Sequence, residues 1–387
     1  MEQSRDISST TTATTAATTS SSAPKTSDPQ TASTDLLSEP HIYVPPELED
    51  VVDQLLTGLN DRDTVVRWSA AKGLGRITER LPRECADDVV GAILLLFSDD
   101  SSDSAWHGAS LALAELARRG LLLPFRLPQV VPIIVKAIHY DVRRGQNSVG
   151  AHVRDAACYV CWAFARAYSP EVMAPYVSEL SRGMLLAALF DREINCRRAA
   201  SAAFQENVGR QGNENFLHGI EILTAADYFT LGNRVNAYTE ISCFVASFLS
   251  YKRSVINHLC EIKLFHWDPA IRELSSKGLG NLTKLDPNHM LDTVVPDLIS
   301  KVCDADLLIR HGAVLGIAEI TLALSEIAHP LSSKIVDVVV AVEKARLYRG
   351  KGGEVMRSAI CRLVECIARA EVRLDEERRT GGTGAAK

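Results

Sequence analysis

The chain has 387 residues, 46% of them hydrophobic and 23% charged, which is enough apolar content to bury a core over most of its length. Forty-two lysines and arginines against 48 acids leave a net charge of −6, excluding the overall positive footprint of a nucleic-acid binder. Aromatic residues make up only 6% while alanine and leucine abound, a mixture that suits close-packed helices better than strands.

The first forty residues stand apart. Nineteen of them are Ser or Thr, too little apolar surface to offset the entropy of ordering, so residues 1–40 read as a disordered leader. Five acids in this stretch, against Arg5 and Lys25 alone, argue against an organellar transit peptide. A helical solenoid is expected over 41–370 and a flexible tail over 371–387. The C-terminal end reads as a chain cut short rather than a capped domain.

Between these ends a twelve-residue frame recurs. It begins as "VRWSAAKGLGRI" at Val66 and returns as "IRELSSKGLGNL" at Ile271. Further copies start at Ala105, Val153, Cys196, Asn233, Ile309 and Met356, giving steps of 39, 48, 43, 37, 38, 38 and 47 residues. A helical period near forty is that of HEAT or armadillo repeats. Within a frame, Val153, Ala157, Val160, Phe164 and Ala167 fall on a single helical face, as do Ile309, Ala313, Ile317, Ile320 and Leu324. Small residues at the fifth and eighth positions (Ala70 and Gly73, Ser275 and Gly278, Ala313 and Gly316) admit a neighbouring helix. Another apolar segment precedes several frames. The fold class is therefore all-α, an α-solenoid of about eight helix pairs that bury their stripes by stacking.

Seven frames carry Arg at the second position: Arg67, Arg154, Arg197, Arg234, Arg272, Arg310 and Arg357. Asp63, Glu193, Asp268 and Asp306 precede four of them by four residues, placed to cap a helix N-terminus and to pair with the arginine. Because the pattern follows the repeat, a structural ladder is favoured over an acidic-partner site.

Catalytic motifs are sparse. No G-x-x-x-x-G-K-[ST], H-E-x-x-H or G-x-S-x-G occurs, and "RGKGGE" at Arg349–Glu354 lacks the Ser/Thr and the strand of a phosphate loop. Cys158 and Cys161 form a C-x-x-C without a second pair, so helix packing is favoured over zinc. His107, His152, His266 and His311 sit near helix starts, where capping and packing outweigh catalysis. The chain is read as non-enzymatic, without a cofactor or metal. Nine cysteines without pairing rhythm suit a reducing compartment, and no apolar run of membrane-spanning length is apparent, so a cytoplasmic, non-inserted protein is expected.

Two stretches exceed what repeat packing requires. In "RRAASAAFQENVGRQG" (197–212), Gln205, Glu206 and Asn207 stand where other frames place small or apolar residues. They either hydrogen-bond across repeats or belong to a recognition surface. In "GAHVRDAACYVCWAFARAYSP", Arg154, Asp155, Trp162 and Arg166 are residue types common among interface anchors. Candidate partner-binding residues are therefore Arg154, Trp162, Arg166, Arg197, Arg198, Gln205, Glu206 and Arg210.

Longer strings carry a resemblance. "DRDTVVRWSAAKGLGRITERLP" (61–82), "AWHGASLALAELARRGLLLP" (105–124), "VRDAACYVCWAFARAY" (153–168), "FDREINCRRAASAAFQENVGRQG" (190–212) and "HGIEILTAADYFTLGNR" (218–234) resemble the tubulin-folding cofactor D family, with "HWDPAIRELSSKGLGNL" and "LYRGKGGEVMR" following in family order. The likeness runs from about Tyr43 to Ile367. It implies a HEAT/armadillo solenoid that handles β-tubulin after release from the cytosolic chaperonin. Cofactors C and E and an Arf-like small GTPase are the implied partners in assembling αβ-tubulin, and the family takes part in stimulating GTP hydrolysis by tubulin. The implied location is cytoplasmic, with a cytoskeletal association. The family protein is much longer than this chain. A general HEAT-repeat scaffold or adaptor is the alternative function.

Overall fold

The computed structural model describes residues 44–371, Gln146 excepted. The expected leader (1–40) and the tail beyond residue 371 lie outside the described residues. Within them the chain forms helix pairs stacked in sequence order. The first members are Glu47–Gly58, Arg83–Leu94, Leu127–Ile138, Val177–Phe190, Gly219–Ala225, Leu249–His258, Val295–Lys301 and Lys334–Lys344. The frames occupy the second members: Thr64–Thr78, Asp103–Arg118, Ala151–Ala167, Ile194–Asn215, a composite of Arg234–Asn236, Ala237–Ile241 and Ser242–Ser247, then Pro269–Thr283, Leu307–Glu326 and Gly353–Arg369. Each frame thus lies on an equivalent helix, as the periodicity predicts; frame helices pack on one another through the first four repeats and again from the fifth to the eighth, while Ile194–Asn215 meets the fifth repeat mainly through Gly219–Ala225 and the turn Thr230–Gly232.

The core is the row of apolar stripes between these helices. Leu74, Ala112, Val160, Phe164, Ala200, Leu279, Ile317 and Leu363 are all completely or almost completely buried. Beside the small residues expected at the fifth and eighth frame positions, glycine at the fourth position of two frames is needed for this closeness. A Cβ on Gly108 would sit 1.9 Å from the Leu59 carbonyl oxygen, and one on Gly312 would sit 1.9 Å from that of Leu264, so only glycine fits where a loop backbone crosses the helix. Helix Leu307–Glu326 is long and apolar enough to cross a membrane by length and composition. Its Ala313, Val314, Ile317, Ala318, Ile320 and Leu324 are instead fully enclosed, packed between the preceding and following frame helices.

The frame arginines are fixed by carbonyls rather than by the acids ahead of them. Asp63, Asp268 and Asp306 do cap their helices, accepting from the backbone N–H of Val65, Ala270 and Leu308 at 2.8, 3.0 and 2.8 Å. The expected ion pairs to the arginines four residues on do not form among the described residues. Arg67 Nη1 instead donates to the carbonyls of Asp61 and Arg62, and Arg310 Nη1 to those of Asp304 and Ala305. Each guanidinium thereby closes the loop leading into its own helix.

Two features depart from a uniform helical stack. A small antiparallel hairpin, Val142–Arg144 with Asn147–Val149, pairs Val142 with Val149 and fills the 48-residue step between the second and third frames. In the fifth repeat the first helix, Gly219–Ala225, has only seven residues. It is too short to cover its neighbours. Helix Leu249–His258 accordingly packs on Val177–Phe190, and the His139 and His258 rings meet at 5.3 Å. The same shortness leaves Ile220, Tyr228 and Phe229 facing outward.

Candidate protein-interaction surface

The eight candidate residues divide into two groups. Arg154 and Arg197 are buried, at 6% and 2% exposure, and cannot meet a partner. Arg154 clamps Asp191 through Nε at 2.5 Å and Nη2 at 3.1 Å, while its Nη1 donates to the Tyr140 carbonyl at 2.8 Å. Arg197 donates to the carbonyls of Leu231 and Gly232, in the loop before the next frame, at 2.8 and 3.0 Å. Both are rungs between repeats, so their assignment to a binding surface is corrected. The reason is positional: each is the second residue of a frame, which the fold turns toward loop carbonyls.

The other six form one face on two adjacent frame helices. Trp162 is half-buried, stacked against Tyr159 at 5.7 Å, and the Arg166 guanidinium lies 4.6 Å from the Trp162 ring centre. Arg166 Nη1 and Arg210 Nε both donate to Oε1 of Glu206, at 3.1 and 2.7 Å. Along Ile194–Asn215, Arg198, Ala202, Gln205 and Gly209 succeed one another by four, three and four residues, a single outward line. Arg198 ends that line with its guanidinium 4.7 Å over the Tyr228 ring. Exposed ion pairs of this kind add at most about 1 kcal/mol to stability, so the cluster is not required to hold the fold.

Asn207 takes the other course open to the polar triplet. It is buried, and its Nδ2 donates to the Cys161 carbonyl at 3.1 Å, joining the fourth frame helix to the third. Cys161 itself is fully enclosed, and burial pushes its thiol up to about 12; Cys158 is raised too, so both are packing groups rather than reactive thiolates.

Sequence reasoning missed several surface residues. Tyr159 accepts from Arg118 Nη1 at 2.9 Å and donates to Glu115 at 3.1 Å, and its ring lies 5.8 Å from that of Trp68. The aromatic row therefore extends back to the first frame. Arg166, Gln205, Glu206 and Arg210, with Tyr168, Gly209, Ile220 and Leu223, line an open groove of about 830 Å³. Ile220 is 62% exposed and Phe229 81%. A face of mixed polar and apolar residues along an open groove suits macromolecular recognition.

A stack of armadillo-type helix pairs, most of whose distinctive residues face outward, defines an α-solenoid. A model of the "Tubulin-specific chaperone D-like, ARM repeats" family matches residues 1–220, and the chain belongs to that family. It is 42% identical over 331 residues to "Tubulin-specific chaperone D" of Dictyostelium discoideum, covering 82% of this chain and 22% of that protein. It is 33% identical over 308 residues to "Tubulin-folding cofactor D" of Schizosaccharomyces pombe, covering 76% of this chain and 27% of that one. The chain thus spans about a quarter of the length of these relatives. Among solved structures, the karyopherin Kap121p bound to the SUMO protease Ulp1p is similar at 13% identity and a TM-score of 0.37, over 85% of this chain and 35% of that one.

Proposed function

We propose that this chain acts in tubulin folding, binding β-tubulin after its release from the chaperonin and aiding assembly of the αβ heterodimer. Family membership over more than half of the chain carries this reading. The outward row of Trp162, Arg166, Arg198, Gln205, Glu206 and Arg210 supplies a solvent-facing surface whose contacts within the chain are lateral rather than buried. Cofactors C and E and an Arf-like GTPase are the proposed partners, with a contribution to stimulating GTP hydrolysis by tubulin. The chain's own role is non-catalytic and its place cytoplasmic, beside the cytoskeleton. With a net charge of −6, long-range attraction to an acidic partner is weak, so local guanidinium and apolar contacts must carry the affinity.

Affinity capture from cytosol with the whole chain as bait tests the reading. Retention of β-tubulin above an unrelated armadillo protein is expected. Capture of other cargo without tubulin favours a general scaffold and overturns it.

A further inference from the structure

We propose that the groove beside Gly209 seats a helix of the bound tubulin, its backbone against the bare Cα of Gly209 and an acidic side chain between Arg166 and Arg210. This rests on the tubulin reading above and specifies which part of the surface makes the close contact.

The first observation is the glycine. Gly209 lies three residues before the break at Gly212 (φ 75°, ψ 173°) that interrupts Ile194–Asn215; it is exposed, and a Cβ added there would meet nothing within 4 Å. Glycine inside a helix is destabilising relative to alanine, and among the described residues neither a close neighbour nor a positive φ calls for it at this position. Four other helical glycines show one use of the residue in this fold, whereas Gly73, Gly75 and Gly316 meet only side chains and Gly91 only Arg126 Nη2 at 3.9 Å. A Cβ would lie 1.9 Å from the Leu59 carbonyl oxygen at Gly108, 2.7 Å from that of Tyr238 at Gly278, 3.2 Å from that of Glu319 at Gly280, and 1.9 Å from that of Leu264 at Gly312. At each of those positions a neighbouring backbone comes against the helix. Gly209 offers the same bare backbone with the approach open.

The surroundings define the occupant. The groove has a volume of about 830 Å³ and is open to solvent, so a partner element can approach it. Its apolar side is Val208, Leu223 and the largely exposed Ile220. Its polar side is Arg166 and Arg210, both hydrogen-bonded to a single oxygen of Glu206. Two guanidinium groups against one carboxylate leave a local positive charge on an otherwise acidic chain, and a carboxylate can bind both without displacing Glu206. The complementary element is a helix with a small residue at the crossing point, an apolar neighbour for Ile220 and an acid one turn away.

The test compares the whole chain with its Gly209→Ala and Gly209→Leu variants, measuring thermal melting and affinity for purified αβ-tubulin. Both variants are expected to fold, with the melting temperature of Gly209→Ala unchanged or raised, because each added side chain points into open space. Affinity should fall several-fold for Gly209→Ala and roughly tenfold or more for Gly209→Leu, as the backbone contact is wedged apart. Wild-type affinity in the Gly209→Leu variant overturns the groove while leaving the tubulin reading in place. Altered self-association with unchanged tubulin binding assigns the groove to a second copy and also overturns it. A wild-type chain that does not bind tubulin overturns both.

Discussion

Arg272 donates its Nε–H to Nδ1 of His311 at 3.0 Å, tying the sixth frame to the seventh. Arg67 does the same to His107 at 2.7 Å between the first and second. In both places the histidine is followed by a glycine pressed under a loop carbonyl, Gly312 beneath Leu264 and Gly108 beneath Leu59. One two-repeat joint therefore occurs twice. Because Nδ1 accepts, each imidazole must be neutral, with its proton on Nε2.

That requirement makes the stack sensitive to acid. Burial, then the adjacent guanidinium, lowers His107 to about 3 and His311 to about 4. In the unfolded chain both protonate near pH 6.5, whereas the folded protein resists until these lower values. The stabilisation is thus complete above pH 6.5 and is lost as pH falls toward 4 and 3. By pH 5 the loss should be on the order of 1–2 kcal/mol per histidine. Urea midpoints at pH 7 and pH 5 measure it. His107→Gln with His311→Gln should reduce the pH dependence, leaving the shares of His139, which desolvation lowers to about 4, and of the buried His258 against it, which desolvation also lowers.

Arg154→Ala should destabilise by about 3–5 kcal/mol, since it strands the Asp191 carboxylate in the interior. Adding Asp191→Ala should recover part of that loss. Denaturation across the double-mutant cycle gives the coupling energy, and strict additivity would rule out the rung.

Replacing Arg198 and Arg210 together with Ala should weaken tubulin binding while leaving the melting temperature nearly unchanged. Their contacts in the chain are the Tyr228 ring and, at 3.3 Å, the Tyr228 carbonyl for Arg198, and the part-buried Glu206 for Arg210, none of which closes a buried ion pair. A large fall in melting temperature would show that the two arginines hold the fourth and fifth repeats together.

These two arginine tests mark the limit of what the amino-acid order reveals. The frame, its period and its small residues are legible because one packing solution is repeated along the stack. The direction of an individual arginine is not. Arg197 and Arg198 are adjacent in sequence, yet a rotation of 100° per residue sends one into the Leu231–Gly232 carbonyls and the other over Tyr228. The hairpin escaped because its strands are three residues each, too short for alternation to register. The groove was missed because its apolar side comes from Ile220 and Leu223, on a helix whose shortness is a tertiary outcome. Only Gly209, a glycine within an otherwise helical run, offered a local signal.

Gly312→Ala should behave as the opposite of Gly209→Ala. Both replace a helical glycine with the better helix former, so propensity alone favours each variant by up to about 1 kcal/mol. At Gly312 the new methyl group would lie 1.9 Å from the Leu264 carbonyl oxygen and 3.2 Å from the Phe265 ring, and backbone cannot yield as a flexible side chain can. The seventh frame helix must shift away from the loop, disturbing the Arg272–His311 bond one residue away and the fully buried Leu264 beneath it. Overpacking of this kind costs about 1–3 kcal/mol or more, which exceeds the propensity gain. In a stack stabilised by nearest-neighbour interfaces, the loss should loosen the seventh and eighth repeats before the first four. Hydrogen exchange resolved along the chain checks this: faster exchange confined to residues 264–371 is the expected result, and protection equal to wild type there would show that the crossing relaxes without cost.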